Sequence, residues 1–370
     1  MATGGRLSKL KELTRSVEVT MAGPITIGID LGDRHSHCCF LGSNGACLTE
    51  GRIGTTPEAF ARHFQGLPPA RIAIEVGGHS RWVSRLLASW GHEVVVANAR
   101  MVQLIASGAR KSDQVDAQLL ARLARTDPTL LAPITHVGHQ HYPDIARLRA
   151  RALLVRTRTR LVNAVRGIVK TVGIRLPACN AHGFAKRAAS LIPSELQPSL
   201  SPLLETIAML SAQIHEYDGA VEHIARDQYP ETARLRQVPG VGPVTALHYV
   251  LTIGDPQRFR RSRDVGAFLG LVPRRRQSGE MDQQLRISKA GNSEMRTLLV
   301  QCAQYVLGRF GPDTDLKRWG TAMAVRGGKN AKRRAVIAVA RKLSVLLHKL
   351  WISGAVYDPL YNAAAVLNSA

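Results

Sequence analysis

The sequence predicts an α/β amino-terminal domain of ribonuclease-H-like order, a long helical, coiled-coil-like arm, and a mostly α carboxy-terminal domain with a helix-hairpin-helix-like element. Three observations carry this expectation. Three short β-rich segments follow one another from residue 25, strands and helices then alternate, and strand patterns cease past Pro133. At 370 residues the chain is too long for one ordinary core, which agrees with two or three domains.

Residues 25–30 (ITIGID), 36–42 (SHCCFLG) and 46–53 (ACLTEGRI) read as strands of an antiparallel meander, separated by turn residues. A helix is expected over 56–65, a buried strand over 70–76 (ARIAIEV), a helix over 80–90 and a strand over 92–98. Three hairpin strands followed by this alternation give the ribonuclease-H-like order, in a domain spanning 24–135. Beyond it, residues 145–172 form one arginine-studded amphipathic pattern, apolar at Leu148, Ala152, Val155, Leu161, Val165, Ile168 and Val172. A break over 177–202 holds Gly183 and Pro193, and a second helical stretch, 203–227, returns antiparallel to make an arm over 140–232. The third region, 235–355, opens with VPGVGPVTA, passes through a basic loop, PRRRQSGEMDQQ, and ends in helices over 294–307 and 332–351. Residues 1–23 are basic, lack an apolar core and a small-residue cleavage site, and read as a flexible leader; Met21 offers an alternative start.

Lysine and arginine number 50 against 27 acids, a net charge of +23 spread along the chain, so a polyanionic partner is expected. No stretch reaches the roughly 20 apolar residues of a transmembrane helix, which argues against a membrane role. Cys38, Cys39, Cys47, Cys179 and Cys302 form no CxxC pair and no zinc spacing, and five is an odd number for a disulfide framework. Reduced thiols in a cytoplasm fit this pattern. Cys38 and Cys39 fall in an apolar strand, where packing is the expected role.

Metal-assisted phosphodiester chemistry needs three or four carboxylates converging on one point, because the ions must be held while sites remain for water and phosphate oxygens. Asp30 ends the first strand and Glu75 the fourth, and these strands are neighbours in a ribonuclease-H-like sheet. KSDQVDAQLLARL places Asp113 and Asp116 at i and i+3, on one face near the start of a helix. Taken singly, the helix pair could serve the helix dipole and Asp30 a strand-ending turn. Glu75, closing the apolar run IAI, is costly without a partner. Together the four predict a site for Mg²⁺ or Mn²⁺. Asp33 and His35 lie nearby in sequence and read as a solvated loop.

In the third region Gly240 and Gly242 open a helix in a turn like that of a helix-hairpin-helix, whose amides can hold a phosphate. The basic segment that follows offers Arg274, Arg275, Arg276, Arg286 and Lys289 as nucleic-acid contacts around Ser278, Ser288 and Ser293. A serine attacks phosphate well only when a base takes its proton and cations stabilise the developing charge. Ser278, after three arginines, is the most accessible; Ser288 and Ser293 are candidate helix caps.

GIDLGDRHSHCCFL, IAIEVGGHS and KSDQVDAQLLARL resemble the amino-terminal blocks of the DEDD insertion-sequence transposases, a group that includes the Piv-type DNA invertases. GLVPRRRQSG followed by ISKAGNSEMRTLL resembles their carboxy-terminal domain. The resemblance covers nearly residues 24–350, with the arm matched only in general character. It implies a fold like that of the resolvase RuvC, with Asp30, Glu75, Asp113 and Asp116 as metal ligands. It also implies a serine nucleophile, best matched by Ser278, that forms a covalent link to cleaved DNA. Donor-end and target DNA, a structured noncoding guide RNA and a homo-oligomer, dimer or tetramer, are the partners it implies, in a prokaryotic cytoplasm at the nucleoid.

Three other readings remain open on the sequence. A resolvase-type nuclease would use metal-activated water instead of a serine. An actin-like kinase or ATPase would use GIDLG as a phosphate loop and Asp264-Val265-Gly266 as its second. A non-enzymatic nucleic-acid-binding protein would explain the charge but leave the acids without a purpose.

Overall fold

The computed structural model describes residues 25–105 and 112–362, and the predicted leader lies outside the described residues. The chain divides into two compact units, residues 1–136 and 137–370. No described helix is long and apolar enough to cross a membrane.

The first unit is built on β1 (Thr26–Asp30), β2 (His35–Leu41) and β3 (Cys47–Gly54), followed by α1 (Pro57–Phe64), β4 (Arg71–Glu75), α2 (Ser80–Ser89), β5 (Glu93–Ala97), α3 (Ala99–Ile105) and α4 (Asp113–Thr126). The sheet order is β3-β2-β1-β4-β5, with β1 antiparallel to β2 and parallel to β4. This is the expected mixed sheet, with element ends within a residue or two of those read from the sequence.

Period-two alternation divides the sheet into two faces. Ile27, Ile29, Cys38, Phe40, Ile72, Ile74 and Val96 pack against Phe60 and Phe64 of α1 and Val83 and Leu87 of α2. Such fully buried aliphatic and aromatic side chains contribute roughly 1.5–3 kcal/mol each. The opposite face carries Cys39, Leu41, Ala73, Val95 and Ala97 beneath Ala117, Leu120, Ala121 and Ala124 of α4. Three of the four buried residues of α4 are alanines, and at Ala117 and Ala121 the helix lies almost on the backbone of β1. A Cβ on Gly28 would stand 2.0 Å from Ala117 O and 2.4 Å from Ala121 N. Only glycine fits there.

The second unit starts with α5 (Tyr142–Thr171), α6 (Phe184–Ala189) and α7 (Gln197–Asp227). Arg151 Nε donates to Asp218 Oδ1 at 2.5 Å and Arg158 Nη1 to Ser211 Oγ at 3.3 Å, so the two long helices run antiparallel. Val165 and Val169 pack on Leu200, Leu204, Ile207 and Phe184 at one end. At the other, Leu148, Val221 and Ile224 join the core that contains Tyr249, Leu299 and Leu343. The second long helix begins at Gln197, earlier than the expected residue 203. Pro198 lies in its first turn and Pro202 is exposed, so the amide that Pro202 lacks leaves only a first-turn carbonyl in solvent.

The unit continues through α8 (Glu231–Leu235), α9 (Pro243–Ile253), α10 (Asp264–Phe268), β6 (Pro273–Ser278), β7 (Met281–Ile287), α11 (Ser293–Leu307), α12 (Asp315–Val325) and α13 (Ala331–Ser353). The stretch expected as a basic loop is instead the antiparallel hairpin β6–β7, with Ser278 paired to Met281 across a two-residue turn. Gly279 adopts φ +55°, the left-handed start that such turns require. Asp264-Val265-Gly266 opens α10 instead of following a strand, and a Cβ on Gly266 would stand 3.0 Å from Arg341 Cγ, so it forms no second phosphate loop. The cap of α11 is Asn292, whose Oδ1 accepts from the amides of Glu294 and Met295 at 2.9 and 3.0 Å; Ser293 is not the cap.

Candidate functional site

The α4 face of the sheet gathers the acids of the first unit. Gly28 and Ala73 point at α4, so two residues further on Asp30 and Glu75 share that face. They end adjacent parallel strands, with Ile29 and Ile74 in register immediately before them. Ser112 caps α4 by accepting from Val115 N, which sets Asp113 and Asp116 in its first turn above β1.

The carboxyl of Asp30 feels the charges of the other three. Burial first, and then the charges of Asp113, Asp116 and Glu75, raise the Asp30 carboxyl from 3.8 to about 6, with His37 opposing them. Asp30 is half-buried, Asp116 partly covered, and Asp113 exposed. His37 pairs with Asp30 in the β1–β2 register. Its buried Nδ1 makes no hydrogen bond and stands 3.5 Å from Asp113 Oδ2. Among the described residues no three carboxylates of the quartet have oxygens all within 4.8 Å of one another. The acids converge without closing into a cage.

His37 was not singled out in the sequence, although alternation along HSHCCFL sets it on the face of Cys39 and Leu41. Asp33 is almost fully exposed and lies 3.6 Å from His79 Nε2. His35 Nδ1 lies 2.8 Å from Arg52 Nη2, also at the surface.

The second unit holds the other residues singled out in the sequence. Ser278 ends β6 at an exposed position, and alternation places Arg274 and Arg276 on its side of the strand. Arg275, on the opposite side, is held by both carboxylate oxygens of Asp282. Arg286 lies exposed on β7. Lys289 adopts φ 54° in the following turn, where its amide donates to Gly270 O at 3.1 Å. Ser288 Oγ accepts from Ala290 N at 3.4 Å. Gly240 has φ +87° and would place a Cβ 2.8 Å from Tyr305 Cδ1, while Gly242 is the extended residue before Pro243 at the start of α9. Both line a cavity of about 490 Å³ with Arg236, Thr245, Gln301 and Tyr305.

A mixed sheet of order 3-2-1-4-5, with carboxylates on neighbouring parallel strands and a crossing helix, is the ribonuclease-H-like arrangement of DEDD nucleic-acid enzymes. Residues 27–174 match the transposase model of the IS110 DEDD domain, and residues 232–318 match the model described as the transposase IS116/IS110/IS902 family. The chain is 30% identical to the transposase for insertion sequence element IS1111A of Coxiella burnetii, over 93% of each chain. A probable family 20 transposase of Pseudomonas aeruginosa is 28% identical over 80% of this chain and 88% of its own. The pilin gene-inverting protein of Moraxella lacunata is 25% identical over 86% of this chain and 92% of its own. The chain belongs to the IS116/IS110/IS902 family of transposases, enzymes that cut and join DNA.

Proposed function

We propose that this transposase cleaves and rejoins DNA with a divalent metal ion, Mg²⁺ or Mn²⁺, held by Asp30, Glu75, Asp113 and Asp116, and with Ser278 as nucleophile. The observation that carries the metal reading is the Asp30 carboxyl, raised to about 6 partly by three neighbouring acids. Negative charge concentrated in this way is what a bound dication offsets. Four carboxylates are a hard oxygen donor set suited to Mg²⁺ or Mn²⁺, and the orphaned His37 Nδ1 beside Asp113 is a further buried group that an ordered ligand sphere would satisfy. Held by these four carboxylates, such an ion would polarise the scissile phosphate and offset the charge that builds on its oxygens.

Ser278 fits the nucleophile's needs through its exposure and its neighbours. Its Oγ forms the bond to phosphorus, its proton passes to a base, and the bond to one deoxyribose oxygen breaks, releasing a DNA hydroxyl. Arg276, two residues away on the same side of β6, supplies cationic charge to the attacked phosphate. Attack of another strand's hydroxyl on the serine–phosphate ester reverses the step and reseals DNA. In this reading a dimer or tetramer brings donor ends and target together. A structured noncoding RNA pairs with both at the prokaryotic nucleoid. The net charge of +23 supports partners of this polyanionic kind.

The test is to trap the covalent protein–DNA adduct on a labelled element-end duplex. Wild type is expected to give a phosphoserine-linked adduct that Ser278→Ala loses. An adduct that persists in Ser278→Ala refutes the assignment, and efficient cleavage with no adduct at all points to attack by water.

A further inference from the structure

We infer that the β2–β3 hairpin carries a second metal site, separate from the acid quartet, in which Cys39, Cys47 and Glu50 bind Zn²⁺. Among the described residues these three are the one set of cysteine, histidine and acidic side chains whose ligand atoms all lie within 4.8 Å of one another. The sequence spacing conceals them. The turn at Gly42–Ala46 folds β3 back on β2, pairs Cys39 with Glu50, and through a register shift beside Leu41 brings in Cys47.

Geometry favours a metal over a bond between the sulfurs. The two Sγ atoms stand 3.9 Å apart. A tetrahedral zinc with Zn–S bonds of about 2.3 Å separates two thiolates by about 3.8 Å, whereas a disulfide requires about 2.05 Å. Two soft thiolates with one carboxylate match zinc's preferences, and the exposure of Cys47 leaves the fourth position and the entry path to solvent.

The surroundings are also those of a ligand site. Gln114 Nε2 donates to Glu50 Oε2, orienting the carboxylate, and Arg122 favours the thiolate of Cys47. Burial and the neighbouring groups hold both thiols in the protonated range without a metal. Binding therefore releases their protons to solvent as the two sulfurs bond to the ion. Gln114 lies between Asp113 and Asp116 in the first turn of α4, so the ion ties the hairpin to the helix that presents half of the quartet.

The test uses the full chain, treated with a phosphine reductant and a chelator and then titrated with Zn²⁺ and Co²⁺. Wild type is expected to take up one Zn²⁺ per chain at this site and, with Co²⁺, to show thiolate-to-cobalt charge transfer and the absorption of a tetrahedral ion. Cys47→Ser, at an exposed position, is expected to lose the charge-transfer band and to weaken zinc binding about 100-fold or more, and Gln114→Ala about 10-fold. Glu50→Gln provides a second ligand variant that spares both cysteines. Asp30→Asn is expected to leave the thiolate signal intact, since the quartet offers no sulfur. The inference is overturned if folded wild type shows no thiolate-to-cobalt band, or if Cys47→Ser and Glu50→Gln both bind Zn²⁺ as wild type does.

Discussion

Asp30 offers a sharp test of how the acids interact, because replacing this proposed metal ligand should make the metal-free protein more stable. Its carboxyl is raised from 3.8 to about 6. A raised carboxyl favours the folded state fully below the unfolded value near 3.8, and that contribution is lost as pH rises through about 6. At pH 8 the ionised group therefore disfavours the fold, by at most about 3 kcal/mol from the size of the shift. Asp30 is only half-buried, and solvent screening reduces this to about 1–2 kcal/mol. Asp30→Asn removes the charge at nearly constant shape. In chelator at pH 8 the variant should be more stable than wild type by about 1–2 kcal/mol, visible as a melting rise of roughly 2–8 °C. At pH 4.5, where the folded wild type keeps this proton, the gain should shrink to about a third. Adding Mg²⁺ should then stabilise wild type and leave the variant nearly unmoved. Urea titrations at the two pH values, with and without Mg²⁺, check all three effects. An Asp30→Asn chain that is less stable than wild type at pH 8 in chelator, or one whose gain is the same at both pH values, would refute the reasoning.

Other outcomes follow from the same contacts. Gly28→Ala drives a methyl into the backbone of α4 at Ala117 and Ala121, and should cost about 3 kcal/mol or more in thermal unfolding while reducing DNA cleavage. Arg274→Ala and Arg276→Ala should each weaken DNA binding and reduce the slope of log affinity against log salt by about 1, measured by fluorescence anisotropy. Arg275→Ala should change that slope less, because this guanidinium is already held by Asp282.

Most of the first unit is legible in the sequence because its signals are those of burial. Ile27 and Ile29, Cys38 and Phe40, and Ile72 and Ile74 alternate with residues of the opposite face, and that period fixes each strand and its register. The same alternation carries Asp30 and Glu75 to one face, and the i, i+3 spacing carries Asp113 and Asp116 over them. The hairpin β6–β7 escapes this reasoning because its strands are almost wholly exposed and β6, PRRRQS, shows no alternation of apolar and polar residues to read. The early start of α7 escapes it because proline is disruptive only where the missing amide or displaced carbonyl is buried, and Pro202 is at the surface. The proximity of Cys39, Cys47 and Glu50 depends on a register shift in β2–β3, a detail of pairing that spacing along the chain does not encode. His37 could have been found by extending the alternation from Cys39 back by two residues.

The most direct test of the acid quartet is Mg²⁺-dependent strand cleavage by Asp30→Asn on DNA carrying the element's ends, with DNA binding measured alongside. The metal-site account predicts binding within about two-fold of wild type and a fall in cleavage of at least about 100-fold, the scale on which removing one stabilising group from a catalytic site acts. Cleavage at the wild-type rate in that variant would contradict it.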